Sequence, residues 1–202
     1  MKRFIDYRLL LGLILAHLLL FFSFNDKAIF WYIFSGSVLI LITFAMFQED
    51  VDDDASFFQY LFIGAISGML LYFIFWLGHQ AIDFLHLPFD KSIKKLYRWY
   101  SPSLFWQYLA LLLVASPGEE LFWRGFIQKR LRKYLGPIAS ILIASLLYAS
   151  VHIYSGSFIL IFAAFISGLV WGLLYFWRKS MPLVIVSHIV FDIMIFIILP
   201  FR

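Results

Sequence analysis

The stretch FILIFAAFISGLVWGLLYFW, residues 158–177, decides the class of this protein. It runs for 20 residues without a charged side chain, and an α-helix needs about 20 apolar residues to cross the hydrocarbon core of a bilayer. A second run of the same kind, AIFWYIFSGSVLILITFAMF, covers residues 28–47. Of the 202 residues, 63% are hydrophobic and only 14% are charged. The sequence therefore predicts an all-α, polytopic membrane protein.

Hydropathy divides the chain into seven predicted spans within a single membrane domain, residues 1–202. They lie at about 8–24, 28–47, 57–78, 103–131, 137–154, 158–177 and 181–199. The N-terminal run has the basic and apolar regions of a signal peptide, but no small-x-small cleavage pattern follows it. We interpret it as a retained first span. Two GxxxG spacings, Gly64/Gly68 and Gly168/Gly172, predict close contacts between helices.

Two polar segments lie between the predicted spans. The longer one, residues 79–102, mixes aromatic residues with Lys91, Lys94, Lys95 and Arg98. That mixture is typical of an amphipathic helix lying on lipid headgroups. The acidic loop EDVDDD, residues 49–54, is interpreted as a solvated turn rather than a cation site.

Counts of lysine and arginine favour a cytoplasmic N-terminus. Nine basic residues would then face the cytoplasm: Lys2, Arg3, Arg8, Lys129, Arg130, Arg132, Lys133, Arg178 and Lys179. Six would lie outside: Lys27, Lys91, Lys94, Lys95, Arg98 and Arg202. The bias is modest, and the basic segment 91–98 opposes it. We expect an integral protein of a prokaryotic plasma membrane. Because the net charge of +4 comes from short clusters at helix ends, no nucleic-acid partner is expected.

Ionisable residues within the predicted spans are the main functional signal. Each costs roughly 2.5–3.5 kcal/mol to insert at the centre of a membrane helix, so each needs a partner or a task. Three spans carry six of them: Glu119, Glu120, Arg124, His152, His188 and Asp192. A purely structural network is the alternative interpretation, but six such residues on three helices exceed what packing requires. The sequence has no cysteine, which excludes a cysteine nucleophile and thiolate metal ligands.

The segment SPGEELFWRGF, residues 116–126, shows how these charges can be arranged. Glu120 and Arg124 are one helical turn apart, which predicts an ion pair. Glu119 points about 100° away from Glu120 and cannot share that arginine equally. We expect Glu119 to lie beside the two imidazoles in a polar pocket, where a desolvated carboxylate suits a general base. Pro117 cannot donate a backbone hydrogen bond, so it should open the helix to water.

Three short motifs resemble those of a known family. EELFWR at 119–124, YASVH at 148–152 and HIVFD at 188–192 follow the order EExxxR, FxxxH and HxxxN/D. That order is characteristic of the CPBP family of intramembrane endopeptidases, which includes type II CAAX prenyl proteases and bacteriocin-processing enzymes. The resemblance covers the predicted catalytic core, about residues 103–199. Tyr148 replaces the usual phenylalanine, and Asp192 stands where prenyl proteases have asparagine.

The resemblance implies a glutamic-type protease that hydrolyses peptide bonds within the membrane. Glu119 and His152 would activate water, and His188 with Asp192 would polarise the carbonyl or stabilise the oxyanion. Glu120 and Arg124 would organise the site. An ionised aspartate cannot donate a hydrogen bond, so Asp192 is expected to orient His188. The implied substrate is a membrane-embedded or lipid-anchored peptide, such as a prenylated tail, a leader or a C-terminal sorting segment.

Alternatives remain open at this point. No cofactor is expected, but Glu119, His152 and His188 are a chemically reasonable zinc set. The same polar residues could belong to a non-catalytic membrane scaffold or immunity protein, or to an ion-coupled transporter. The sequence gives no indication of the oligomeric state.

Overall fold

The computed structural model describes residues 6–201, so the predicted topology signals at Lys2, Arg3 and Arg202 lie outside the described residues. Helix α1 is Tyr7–Asn25, α2 is Phe30–Met46, α3 is Phe57–Phe84 and α4 is Asp90–Tyr100. The continuous helical stretch 105–131 is α5. Helix α6 is Pro137–Val151 with a 3₁₀ turn at His152–Ser155, α7 is Phe158–Arg178, and α8 is Met181–Ile193 with a π-helical end at Met194–Ile198.

The predicted all-α membrane class is confirmed. Within residues 6–201, five helices are long and apolar enough to cross a bilayer: α1, α3, α6 with its 3₁₀ turn, α7, and α8 with its π-helical end. Helix α2 is apolar but has only 17 residues. Helix α5 carries charged residues in its middle and is not among the five. The predicted count of seven spans is therefore not confirmed.

Helix α5 is irregular where the sequence places its charges. Two π-helical segments, Leu111–Ala115 and Leu121–Gln128, flank the short α-helical piece Ser116–Glu120. Pro117 lies in that piece and has no N–H to donate to the preceding turn, which agrees with the predicted local opening of the helix. π-helical segments are rare and are frequently found at functional sites.

Small residues allow the helices to approach closely, as the GxxxG spacings predict. A β-carbon added at Gly64 would lie 2.8 Å from the Leu183 carbonyl oxygen, so α3 packs directly on the backbone of α8. A β-carbon at Gly168 would lie 3.1 Å from Ser145 on α6. In α5, a β-carbon at Gly118 would collide with Ile42 of α2 at 2.8 Å. These contacts gather α2, α5, α6, α7 and α8 around a common interior.

The acidic loop 49–54 is only in part the solvated turn that we expected: Asp50, Asp53 and Asp54 are exposed, but Glu49 and Asp52 form ion pairs. Arg130, near the end of α5, donates from Nη1 to Glu49 (2.8 Å) and from Nε to Asp6 (2.8 Å). Lys129 donates to Asp52 (2.7 Å), which also accepts from the Tyr175 hydroxyl (2.7 Å). The loop therefore neutralises the basic end of α5. The sequence could not show this because the partners lie about 80 positions apart.

These ion pairs predict that the fold loses stability in acid. Burial alone would raise the pKa of the Asp6 carboxyl, but hydrogen bonds and charge from Arg130 outweigh it and hold that pKa below its ordinary value. Burial also raises the pKa of the Asp52 carboxyl, but the hydrogen bond and charge of Lys129 outweigh it, so that pKa too lies below its ordinary value. Since both pKa values are depressed in the folded state, the stabilisation is present above the unfolded pKa and is lost as pH falls through the folded one.

We therefore expect the melting temperature in detergent to fall as pH drops below about 4. Asp6→Asn should weaken this dependence. The double variant Asp6→Asn/Asp52→Asn tests this fully. If its melting temperature falls in acid as much as that of the native protein, other groups control the acid sensitivity.

Candidate active site

A cavity of about 190 Å³ lies inside the helix bundle, toward the end that carries α4. Its walls come from α1, α2, α3, α5, α6, α7 and α8, together with Tyr100 of α4. Four of the six predicted site residues line it: Glu119, His152, His188 and Asp192. The other two, Glu120 and Arg124, are fully buried beside them. The structure thus gathers three motifs separated by up to 73 positions in one place.

The predicted ion pair between Glu120 and Arg124 is present. Arg124 Nη1 donates to Glu120 Oε1 at 3.1 Å, and the two side chains are 2% and 0% exposed. The same oxygen accepts a second hydrogen bond from His188 Nδ1 at 2.7 Å. Since a carboxylate only accepts, the Nδ1 atom of His188 carries a proton. His188 therefore contacts Glu120 rather than Glu119, which the sequence did not predict.

His188 is held on its other sides as well. Its Nε2 atom lies 3.5 Å from Asp192 Oδ2, one turn along α8. Asp192 itself accepts a hydrogen bond from the Ser116 hydroxyl at 2.7 Å. The ring of Trp171 stacks on the imidazole with centroids 3.8 Å apart. These contacts agree with the expectation that Asp192 orients His188.

Glu119 has a hydrogen-bond partner that the sequence did not predict. The Tyr148 hydroxyl donates to Glu119 Oε2 at 2.5 Å. Among residues 6–201, no hydrogen bond joins Glu119 to His152 or His188, although all three line the same cavity. The tyrosine that departs from the family motif thus donates its hydroxyl to Glu119 and packs its ring nearly perpendicular to that of His152, with centroids 4.9 Å apart.

His152 is fixed through one ring nitrogen. It begins the 3₁₀ turn at the end of α6, and its Nδ1 lies 2.9 Å from the Tyr148 carbonyl oxygen. A carbonyl oxygen only accepts, so the proton is on Nδ1 and the lone pair is on Nε2. His152 can therefore take part in the cavity as a hydrogen-bond acceptor or base through Nε2.

The alternative zinc set is not preassembled. In the part of the chain that the structure describes, His79, Asp83 and Asp90 form a group whose potential ligand atoms all lie within 4.8 Å of one another. Glu119, His152 and His188 do not form such a group. The residues present therefore do not fit a zinc ion without rearrangement.

Two residues around the site were missed by the sequence analysis. Ser116 lies in the quoted segment SPGEELFWRGF, and its position one turn before Glu120 could have indicated a role as hydrogen-bond donor. Trp171 lies in the apolar stretch 158–177, where nothing distinguishes it from the other aromatic residues. Only the packing of α7 against α8 brings it to His188.

Comparison with known proteins supports the family suggested by the motifs. A family model described as type II CAAX prenyl endopeptidase, Rce1-like, matches residues 101–194. No curated protein and no solved structure matches the chain. The apolar helices and this match together make the chain similar to intramembrane proteases of the CAAX type. The match over residues 101–194 confirms the resemblance to the CPBP/CAAX-protease family that the motifs predict.

The buried ion pair gives a test of the site's architecture. Replacing Arg124 by alanine leaves Glu120 buried without its charge partner, which typically costs about 3–5 kcal/mol. We expect Arg124→Ala to melt at a clearly lower temperature in detergent. Arg132→Ala is the matched control, because Arg132 is exposed and makes no ion pair with any described residue. Equal melting temperatures for Arg124→Ala and the native protein would contradict a buried pair.

Proposed function

We propose that this protein is a glutamic-type intramembrane endopeptidase that cleaves a membrane-associated peptide. One observation carries the proposal. Glu119, His152, His188 and Asp192 come from three separate motifs and line a single cavity inside the membrane bundle. They also lie within the segment that matches a protease family. We place the protein in the plasma membrane of a prokaryote, as the sequence suggests.

In the proposed mechanism Glu119 is the general base. Glu119 is half-buried, whereas Glu120 is fully buried and already holds Arg124 and His188. Tyr148 occupies only Oε2 of Glu119, so Oε1 can accept from a water molecule. His152 Nε2 provides a second acceptor in the same cavity. A water held between them would be deprotonated as it attacks the peptide carbonyl.

The remaining steps follow from proton balance. The water oxygen bonds to the carbonyl carbon, and its proton passes to Glu119. We propose that His188 is protonated on both ring nitrogens between Glu120 and Asp192 and donates from Nε2 to the developing oxyanion. The C–N bond then breaks, and the proton on Glu119 moves to the leaving amine. These steps use only side chains of this protein, and their proton balance needs no metal ion.

The surroundings of the cavity favour a substrate with a long hydrocarbon group. A second chamber of about 650 Å³ lies between α3, α4, α7 and the end of α8, and its walls are almost entirely apolar. The two spaces share six wall residues: Phe75, Tyr100, Leu160, Ala163, Ile195 and Phe196. A peptide bond at Glu119 could thus be presented while an attached lipid occupies the chamber. We therefore propose a lipid-anchored, prenylated peptide rather than a leader peptide.

The first test concerns the base. We expect Glu119→Gln to lower cleavage of a prenylated CAAX-type peptide in liposomes by about 10²–10⁴-fold, because general-base catalysis contributes that much. The melting temperature should stay unchanged, since an amide oxygen can still accept from Tyr148. Asp83→Asn, an exposed carboxylate outside the cavity, is the control. Retention of more than about a tenth of native activity would remove Glu119 from this role. Absence of cleavage by the native protein would favour a scaffold.

The second test concerns the chamber. Gly78 lines it, and no atom lies within 4 Å of a β-carbon added there. Gly78→Leu should therefore fill part of the chamber without a clash and raise KM for the prenylated peptide by roughly tenfold. KM for the same peptide without the lipid should not change. Gly36→Leu makes the same substitution on α2 in open space outside the chamber. If both variants behave alike, the chamber does not hold the lipid.

The third test concerns the metal. The purified protein should contain clearly less than stoichiometric zinc and should keep its activity after prolonged chelation. A bound zinc ion would instead lower the pKa of its water to about 7, and stripping the ion would stop hydrolysis. Stoichiometric zinc by elemental analysis, with chelator-sensitive activity that Zn²⁺ alone restores, would overturn the metal-free proposal.

A further inference from the structure

Helix α4 presents two sharply different faces. Its exposed face carries four basic residues at one-turn spacing: Lys91, Lys94, Lys95 and Arg98. Its inward face, also at one-turn spacing, consists of residues that line the apolar chamber: Ile93, Leu96, Tyr97 and Tyr100. The apolar face of this amphipathic helix is therefore used to cover the chamber, which leaves the basic face directed away from it.

The four cations of α4 have no acidic partner in the described part of the chain. Within residues 6–201, none of them lies within 4 Å of a carboxylate. Lys95 instead lies over the ring of Trp99, and Lys27 from the α1–α2 loop lies over the same ring, each at 4.2 Å. The nearest acidic residues in sequence, Asp83 and Asp90, group with His79 at the start of α4.

At the other end of the bundle, three basic residues of α5 and its C-terminal end have acidic partners. There, Lys129, Arg130 and Lys133 are all paired with Asp6, Glu49 or Asp52. Arg8, Arg132, Arg178 and Lys179 at that end make no ion pair with the described residues either, but they are spread over the ends of α1, α5 and α7. The four cations of α4 instead share one exposed face of a single helix. Such a face at the end of membrane helices is complementary to the negative surface of a bilayer.

We propose that the outward face of α4 is a binding surface for anionic phospholipid headgroups, which hold α4 in place over the apolar chamber. The helix is well connected to the interior. The Tyr97 hydroxyl donates to the Ile195 carbonyl at 2.9 Å, and Tyr100 lines both the chamber and the catalytic cavity. A lipid bound to the outer face of α4 would therefore hold in place a helix that forms part of the wall between the apolar chamber and the catalytic cavity. Headgroup binding to α4 does not depend on the proposed protease function. An effect of that binding on peptide cleavage does rest on the proposed function.

The absence of cysteine allows a direct test, because a single engineered thiol can be labelled selectively. Ser92→Cys, within α4, carries an environment-sensitive fluorophore, and the protein is reconstituted in phosphatidylcholine vesicles with increasing phosphatidylglycerol. We expect a saturable fluorescence change that high salt abolishes, because salt screens exposed charges. Each cation near an anionic surface strengthens binding roughly fivefold.

Adding Lys91→Gln, Lys94→Gln, Lys95→Gln and Arg98→Gln should reduce the initial slope of this response by more than about tenfold. The matched control neutralises four basic residues at the opposite end that make no ion pair with the described residues: Arg8→Gln, Arg132→Gln, Arg178→Gln and Lys179→Gln. The control should respond as the native protein does.

Three results would overturn the proposal. The first is no response to phosphatidylglycerol in the native protein. The second is an equal loss of response in the control, which would show that overall charge and not α4 is responsible. The third is a response to soluble polyglutamate but not to phosphatidylglycerol, which would make α4 a docking surface for an acidic protein. Because the readout is fluorescence, failure of the proposed proteolysis would leave this inference standing. Loss of phosphatidylglycerol dependence of cleavage in the α4 variant would then link the surface to turnover.

Discussion

The buried guanidinium of Arg124 is the group on which the interior of this bundle depends. It donates to Glu120 on its own helix and lies over the rings of Tyr148 on α6 and Trp171 on α7, 4.8 Å and 5.3 Å from their centroids. Trp171 in turn stacks on His188 of α8. A charge of this kind is tolerated in a membrane interior only when partners surround it. The requirement to surround Arg124 therefore fixes the relative positions of four helices.

The same requirement determines how the two neighbouring glutamates differ. Glu120 turns toward Arg124 and His188 and is fully buried, although its Oε2 atom has no hydrogen-bond partner among the described residues. Glu119, about 100° around the helix, faces the cavity and meets Tyr148. One carboxylate is thus committed to structure, and the other remains partly open. The division of roles proposed for the two residues follows from this difference in surroundings.

The irregular geometry of α5 makes the arrangement possible. Its two π-helical segments lie on either side of the glutamates, and Gly118 allows α2 to approach where any side chain would collide with Ile42. Ser116, at the junction, reaches Asp192 on α8. At the end of α5 the charged residues have another role, because Lys129, Arg130 and Lys133 form ion pairs with Asp6 and with the 49–54 loop. On α4, by contrast, the positive charge stays exposed.

The sequence by itself determined the membrane class, the helix positions, the Glu120–Arg124 pair and the family resemblance, because each depends on local spacing or on apolar length. It could not determine that His188 binds Glu120, that Tyr148 holds Glu119, or that the acidic loop meets the end of α5. Those contacts join residues 29 to 81 positions apart and depend on how the helices are rotated against one another. The apolar chamber likewise required the tertiary structure, since hydropathy cannot distinguish a side chain that faces lipid from one that lines an internal space.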